Sequence, residues 1–422
     1  MIISIRKKIN SALFKQTAIL SFGTLISQLI ALSITLILQR YYYSPAQFGE
    51  YNLFINITSV FASIATLKYE YAVMISKDEI AAKHLFLIAI ISSLLMSFVA
   101  VFLIAFLQYF EFIHIGGILI FVLVFLLVFF SGINDVINNW FNRSKLYINM
   151  ALARILQSLV GEGAKIAFYF TPLSQIAMQI GRVIGFGFSG LFLLLFKFKD
   201  FKAIVNTAEI SKVKEYALSE RKYPLITTPN VLVNSLNAAV FSYSIFEFYG
   251  ASKLGFVSVA MQYVAVPLGI VSSSFGQIYF QSISEIKNKC VLRKHYINNI
   301  KSLALIALIA LIVIMLLPEE IFTMVLGEKW SGIGPFFRIC IFYMSFSFIS
   351  SSVSFIYLKL DKHKLLLYFS ISQLLLTFLS LYIPNNLGYG LMDAFICFAS
   401  FQALYYLVCI GLGWHLLKKE DE

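Results

Sequence analysis

The chain has 422 residues, of which 59% are hydrophobic and only 13% charged, with a net charge of +12 and a mean hydropathy of +0.83. Such a composition excludes the soluble globular, disordered and fibrous classes and describes a protein whose solvent is mostly lipid. The positive balance calls for no nucleic-acid partner, because cationic loops against anionic lipid headgroups account for it. Cys290, Cys340, Cys397 and Cys409 show no metal or redox spacing and read as small hydrophobes.

A membrane helix needs about 20 mostly apolar residues. Twelve spans are predicted, at 14–38, 51–69, 85–110, 115–140, 147–170, 172–196, 224–246, 254–281, 302–318, 333–357, 365–383 and 389–416. The first follows Arg6, Lys7 and Lys8, as a signal peptide would, but its apolar run is too long and no small-residue cleavage site precedes Arg40, so it is expected to stay. Its Thr17, Ser21, Thr24 and Gln28 share one helical face. A tyrosine-rich turn, R-Y-Y-Y-S-P-A-Q-F-G-E-Y-N at 40–52, leads into span two, where Asn52, Asn56, Ser59 and Ser63 form a second polar stripe and Lys68 lies at the far end.

Spans four to six carry the buried charges: Asp135, then Arg154, Glu162 and Lys165, then Arg182. With a hairpin near Thr171, Glu162 and Arg182 fall at the same depth, and Asp135 and Arg154 within about one turn, so these are the pairs expected to neutralise each other. Lys68, Lys165 and, in span ten, Arg338 are left over. A centred charge costs ~2.5–3.5 kcal/mol on insertion scales and marks a functional site by default.

Residues 197–223 are the most charged segment and read as a linker between two six-span halves, 1–196 and 224–422. Span seven repeats the polar stripe with Thr227, Asn230, Asn234 and Asn237, and F-Y-G-A-S-K-L-G-F-V-S-V at 248–259 is a worn copy of the first turn. A shift of 206 residues superposes Gly49 on Gly255, Gln28 on Asn234 and Asn56 on Gln262. The expected fold is therefore an all-α integral membrane protein of about twelve helices in two pseudo-symmetric six-helix bundles around a central cleft. Bulky amides are costly in hydrocarbon without partners, so Gln28, Asn56, Asn230, Asn234, Asn237 and Gln262 are expected to line that cleft. With the N-terminus inside, the inner segments hold 26 Lys and Arg and the outer loops three, Arg40, Lys253 and Lys329; both termini are expected in the cytoplasm.

Other motifs lead nowhere. G-F-G-F-S-G at 185–190 matches a dinucleotide fingerprint but lies in an apolar span with no strand before it, so Gly181 and Gly185 read as a helix-packing face. The histidines are dispersed, and no nucleophile, base and orienter come together. The outer loops are too short to carry an enzyme's site, so neither catalysis nor a cofactor or metal is expected.

Along nearly its whole length the sequence resembles the oligosaccharide flippases of the multidrug/oligosaccharidyl-lipid/polysaccharide exporter superfamily. The resemblance is carried by F-K-Q-T-A-I-L-S-F-G-T-L-I-S-Q-L, Y-Y-S-P-A-Q-F-G-E-Y-N-L-F, A-T-L-K-Y-E-Y-A-V at 65–73, N-R-S-K-L-Y-I-N-M-A-L-A-R-I-L-Q-S-L at 142–159, Y-P-L-I-T-T-P-N-V-L-V-N-S-L at 223–236, V-P-L-G-I-V-S-S-S-F-G-Q-I-Y-F-Q at 266–281 and L-G-E-K-W at 326–330. It implies movement of an undecaprenyl-pyrophosphate-linked repeat unit across the bacterial inner membrane for surface polysaccharide synthesis. A repeat-unit polymerase and a chain-length regulator are candidate partners, and a monomer is favoured. On this reading Arg154, Lys165, Arg182, Lys68 and Arg338 face the pyrophosphate, the amides face the sugar, and Asp135 and Glu162 are coupling candidates. Similar members often carry Arg where this chain has Lys68. The alternatives are a multidrug or small-molecule antiporter of the same architecture and a lipid-linked cell-wall precursor flippase.

Overall fold

The structure is a computed structural model that describes residues 2–113, 116–206, 209–284, 286 and 288–419. Among these residues it is built of helices with no strand. Helix α1 (Ile2–Ile37) runs into a π-helical turn at Leu38–Tyr42 before α2 (Pro45–Ala62), whose proline supplies a ready-made first turn. Helices α3 (Tyr69–Ile75), α4 (Glu79–Tyr109), α5 (Ile118–Arg143), α6 (Tyr147–Tyr169) and α7 (Ala177–Phe196) follow, then α8 (Phe198–Asn206) and α9 (Ile210–Ser219). The second part of the chain forms α10 (Thr228–Tyr249), α11 (Ala251–Ser284), α12 (Lys289–Leu316), α13 (Glu319–Leu326), α14 (Gly334–Val353), α15 (Phe355–Lys359), α16 (His363–Asn386) and α17 (Leu391–Lys419).

Among the described residues ten helices are long and apolar enough to cross a membrane. Two more, α2 and α6, match predicted spans and bring the number to about twelve. Helix α6 falls below the apolar threshold because Arg154, Glu162 and Lys165 interrupt it. Several boundaries differ from the hydropathy reading, and two have a clear local cause. The expected span 51–69 is a helix that starts at Pro45 and stops at Ala62, because the chain bends through Leu67 (φ 49°) and Lys68 (φ 63°), both left-handed. Helix α12 begins well before position 302, at Lys289, and is capped by Asn288, whose side chain accepts from the Val291 amide at 3.2 Å. A hydropathy window sees the lipid-facing part of a helix, whereas its cap sits outside the lipid.

The chain packs as two compact units, Met1–Leu38 with Phe54–Ser235, and Gln39–Leu53 with Leu236–Glu422. In the first, α6 packs along both α1 and α7, and α5 against α4 and α7. Contact between α6 and α7 is close because glycines face each other: a Cβ on Gly161 would lie 3.1 Å from the Gly181 carbonyl oxygen, and one on Gly185 only 2.8 Å from that of Gln157. The segment 197–223 belongs to this unit. Phe201 of α8 stacks on Phe86 at 5.2 Å, and Tyr69 donates to the Ala217 carbonyl at 3.0 Å.

In the second unit α14 is the central helix, packed by α11, α12 and α17. The first turn of α2 crosses the first turn of α11 here, with Gly49 and Gly255 at the crossing. Trp330, fully buried, stands edge-on to Phe48 at 5.5 Å and Phe256 at 5.6 Å, and its indole donates to the Gln39 carbonyl at 3.1 Å. Arg40 reaches the Met324 and Val325 carbonyls. The L-G-E-K-W stretch thus fastens the π-helical turn, and the tyrosines of the opening motif have different fates: Tyr41 is exposed, Tyr43 fully buried.

Candidate functional site

The seam between α1 and α6 organises the polar interior of the first unit. Gly23 lies against Ala151 so closely that a side chain there would collide. That approach brings Thr24 to the Arg154 guanidinium, which donates to its hydroxyl. One turn on, Ser27 donates to the Arg154 carbonyl at 2.9 Å and bonds Ser158 at 2.6 Å. Higher on the seam Thr35 meets Glu162 at 3.5 Å. Of the first polar stripe, Thr24 therefore turns to α6, Ser21 and Gln28 are exposed, and Thr17 lies outside the described side chains.

The five predicted cations divide into two kinds. Lys165 is buried and paired with Glu162 at 2.6 Å on its own helix, and Lys68 is buried and paired with Glu70 at 3.1 Å. Arg154, Arg182 and Arg338 are half-buried and have no carboxylate partner among the described residues. Arg182 lies over the Phe186 ring at 4.6 Å, and Arg338 donates to the Leu317 carbonyl at 3.1 Å. The pairs expected from depth, Glu162 with Arg182 and Asp135 with Arg154, are not those that form. A residue three along the same helix reaches Glu162 with less chain ordering than one on the neighbouring helix.

The amides also divide. Gln28, Asn230 and Asn234, all in the first unit, are exposed, while Asn56, Asn237 and Gln262 are half-buried. Ser63, just past the end of α2, meets Ser235 of α10 at 3.1 Å beside Asn234. In the second unit two amides that the repeat did not single out behave otherwise. Gln373 donates to the Gln402 carbonyl oxygen at 3.2 Å and to Tyr406 at 2.8 Å, and Gln402 donates to Thr377 at 2.9 Å. Those amides are helix glue; the exposed ones are not.

Sequence reasoning missed Glu70. At two residues from Lys68 it would point elsewhere on a continuous helix, and only the left-handed bend at Leu67 and Lys68 turns the ammonium back onto it.

The helical architecture of the chain is that of the MOP-superfamily transporters. An inward-facing multidrug resistance MATE family transporter of that superfamily superposes with a TM-score of 0.68 at 14% identity, over 95% of this chain and 96% of that one. The lipid II flippase MurJ in an inward closed conformation gives 0.66 at 15% identity, over 94% and 89%. The chain belongs to the polysaccharide biosynthesis protein family, which it matches over residues 16–335. It is also 25% identical over 188 residues, 44% of its length, to the teichuronic acid biosynthesis protein TuaB of Bacillus subtilis (strain 168), and the match spans 39% of that relative's length.

Proposed function

We propose that the protein moves undecaprenyl-pyrophosphate-linked oligosaccharide repeat units from the cytoplasmic to the periplasmic leaflet by alternating access, for surface polysaccharide synthesis. The observation that carries the reading is Arg154: a half-buried guanidinium on a membrane helix, fixed by Thr24, with no carboxylate among the described residues to neutralise it. A cation left uncompensated in that position is costly unless an anion visits it. A guanidinium also presents a donor fork suited to phosphate. Arg154 and Arg182 hold the diphosphate, and Gln28, Asn230 and Asn234 of the same unit meet the sugar.

The task fits the physics. Each sugar hydroxyl costs ~4–8 kcal/mol to move from water into a medium that cannot hydrogen-bond, so a polar surface through the membrane removes most of the barrier while the polyprenyl tail stays in lipid. Each negative charge leaving a negative-inside cytoplasm gains ~2.3 kcal/mol per 100 mV, which drives the diphosphate outward. The split of lysines and arginines, 26 in the inner segments against three in the outer loops, supports a topology with both termini in the cytoplasm.

The test is a complementation series in a strain lacking the gene. Arg154→Ala at normal protein level should abolish surface polysaccharide and accumulate the lipid-linked oligosaccharide, and Arg154→Lys should restore part of the export. Normal export by Arg154→Ala and Arg182→Ala together would show that the diphosphate is held elsewhere.

A further inference from the structure

Helix α13, the turn after it and the π-helical turn before α2 line an open cavity of about 740 Å³ that lies wholly in the second unit. Its volume is that of a small-molecule site, yet its lining is charged: Arg40 and Lys329 stand with Glu319, Glu320 and Glu328. Among the described residues no two of these five form an ion pair, although neighbouring charges elsewhere do, as in Lys83 with Glu79 at 3.0 Å and Lys212 with Glu209 at 3.0 Å.

Backbone groups hold the charges apart. Arg40 spends Nη1 on the Met324 and Val325 carbonyls, the Lys329 ammonium donates to the Tyr42 carbonyl at 3.5 Å, and Glu319 Oε1 accepts from the Gly334 amide at 3.0 Å. The Nε and Nη2 of Arg40 and the carboxylates of Glu320 and Glu328 make no hydrogen bond among the described residues, and both glutamates are exposed. The cavity thus offers donors and acceptors of both signs to a visitor, with three carboxylates against two cations.

Helix α13 sets the level of the cavity in the membrane. Only Leu317 and Pro318 separate it from α12, whose last residue, Leu316, is 77% exposed. At about 100° per residue its eight positions make three faces. Phe322 and Leu326 are buried, Glu319, Glu320 and Thr323 line the cavity, and Ile321 and Val325 are exposed; Met324, 74% exposed, stands on the border between cavity and apolar face. An exposed apolar face directly after a lipid span seats such a helix at the boundary of headgroups and acyl chains. The charged cavity therefore opens at headgroup depth.

We infer that this cavity binds the headgroup of a zwitterionic phospholipid with a primary ammonium, a phosphoethanolamine group, whose acyl chains lie along Ile321, Met324 and Val325. The phosphate accepts from the unused side of the Arg40 fork and from Lys329, and the ammonium donates to Glu320 and Glu328. A purely anionic headgroup would meet an excess of carboxylate, and a quaternary ammonium has no N–H to donate. The site stands whatever cargo the protein carries; that its lipid comes from the outer leaflet rests on the topology proposed above.

Native mass spectrometry tests it on the full-length protein, delipidated in detergent and then given an equimolar mixture of phosphatidylethanolamine, phosphatidylglycerol and phosphatidylcholine with the same acyl chains. Phosphatidylethanolamine should be the lipid retained longest as collisional activation rises, and Glu320→Gln with Glu328→Gln should weaken its binding about tenfold or more. Glu215→Gln, on exposed α9 of the first unit, should leave it unchanged. Glu320→Lys with Glu328→Lys should turn the preference to phosphatidylglycerol, a gain that a misfolded variant could not give. Soluble phosphoethanolamine at the same concentration should not displace the lipid, because it lacks the chains. Retention of phosphatidylglycerol or phosphatidylcholine as firmly as phosphatidylethanolamine, an unchanged preference in either double variant, or displacement by soluble phosphoethanolamine overturns the inference.

Discussion

Gly49 and Gly255 sit at one reciprocal backbone crossing, where the Ala251 carbonyl takes the space a side chain on Gly49 would need and the Pro45 carbonyl takes that of Gly255. A Cβ built on Gly49 would lie 2.7 Å from the carbonyl carbon of Ala251, and one built on Gly255 would lie 2.7 Å from that of Pro45. Both glycines and both carbonyl residues are related by the same offset of 206 positions. The contact is thus reciprocal, as a local two-fold axis requires, and explains why the first turn and its worn copy both keep glycine at that position.

The first prediction follows from that contact. Gly49→Ala or Gly255→Ala should lower stability by at least about 1–3 kcal/mol, since the clash is with rigid backbone. Gly411→Ala on α17, where nothing lies within 4 Å, should be neutral or slightly stabilising. Thermal unfolding of the purified variants in one detergent measures both, and equal midpoints for all three would show that the crossing is not close-packed.

A second concerns the buried pair on α6. Lys165→Met leaves Glu162 buried without its ammonium and should cost about 3–5 kcal/mol. Adding Glu162→Gln should recover most of that loss. If the single and double variants unfold alike, the pair is not energetically coupled.

Third, cysteines placed at Gln28 and Asn234 in a background lacking the four native cysteines should react with a small water-soluble thiol reagent. A cysteine at Gln402 should be protected, although all three replace an amide on a membrane helix, because only Gln402 is buried in a bonded network. Equal protection at all three would make the exposed amides lipid-facing and remove them from the sugar path.

Fourth, the charge asymmetry predicts a topology with both termini in the cytoplasm. Lys214→Cys on exposed α9 should be shielded from a membrane-impermeant reagent in intact cells, whereas Lys329→Cys beside Trp330 should be modified. The reverse pattern would invert the protein in the membrane.

Spans, their number and the repeat were legible in the sequence because lipid imposes one strong rule: about 20 apolar residues per crossing. Amides and charges on those spans could be found the same way, since each is an exception to the rule. Their partners could not. Depth along two helices brought Glu162 level with Arg182, but depth carries no information about rotation, and the carboxylate turned to Lys165 instead. Glu70 lay in plain sight in L-K-Y-E, yet its pairing with Lys68 depends on two left-handed residues that no periodicity reports. Gln373 and Gln402 went unremarked because they answer each other across two helices that the repeat did not align.

The assignment of residues 39–53 to the second unit has a consequence for biogenesis. Gln39 waits for Trp330 and Gly49 for Gly255, so the first hairpin enters the membrane 206 residues before the glycine that completes it has been synthesised. At roughly 5–20 residues per second, that is an interval of about 10–40 s in which a π-helical turn and a bare glycine face have no mate. The nascent protein must be held open by lipid or by insertion machinery for that time. The same chain order means that neither sequence half is a free-standing module: two polypeptides divided within 197–223 should assemble only when both are made in the same membrane.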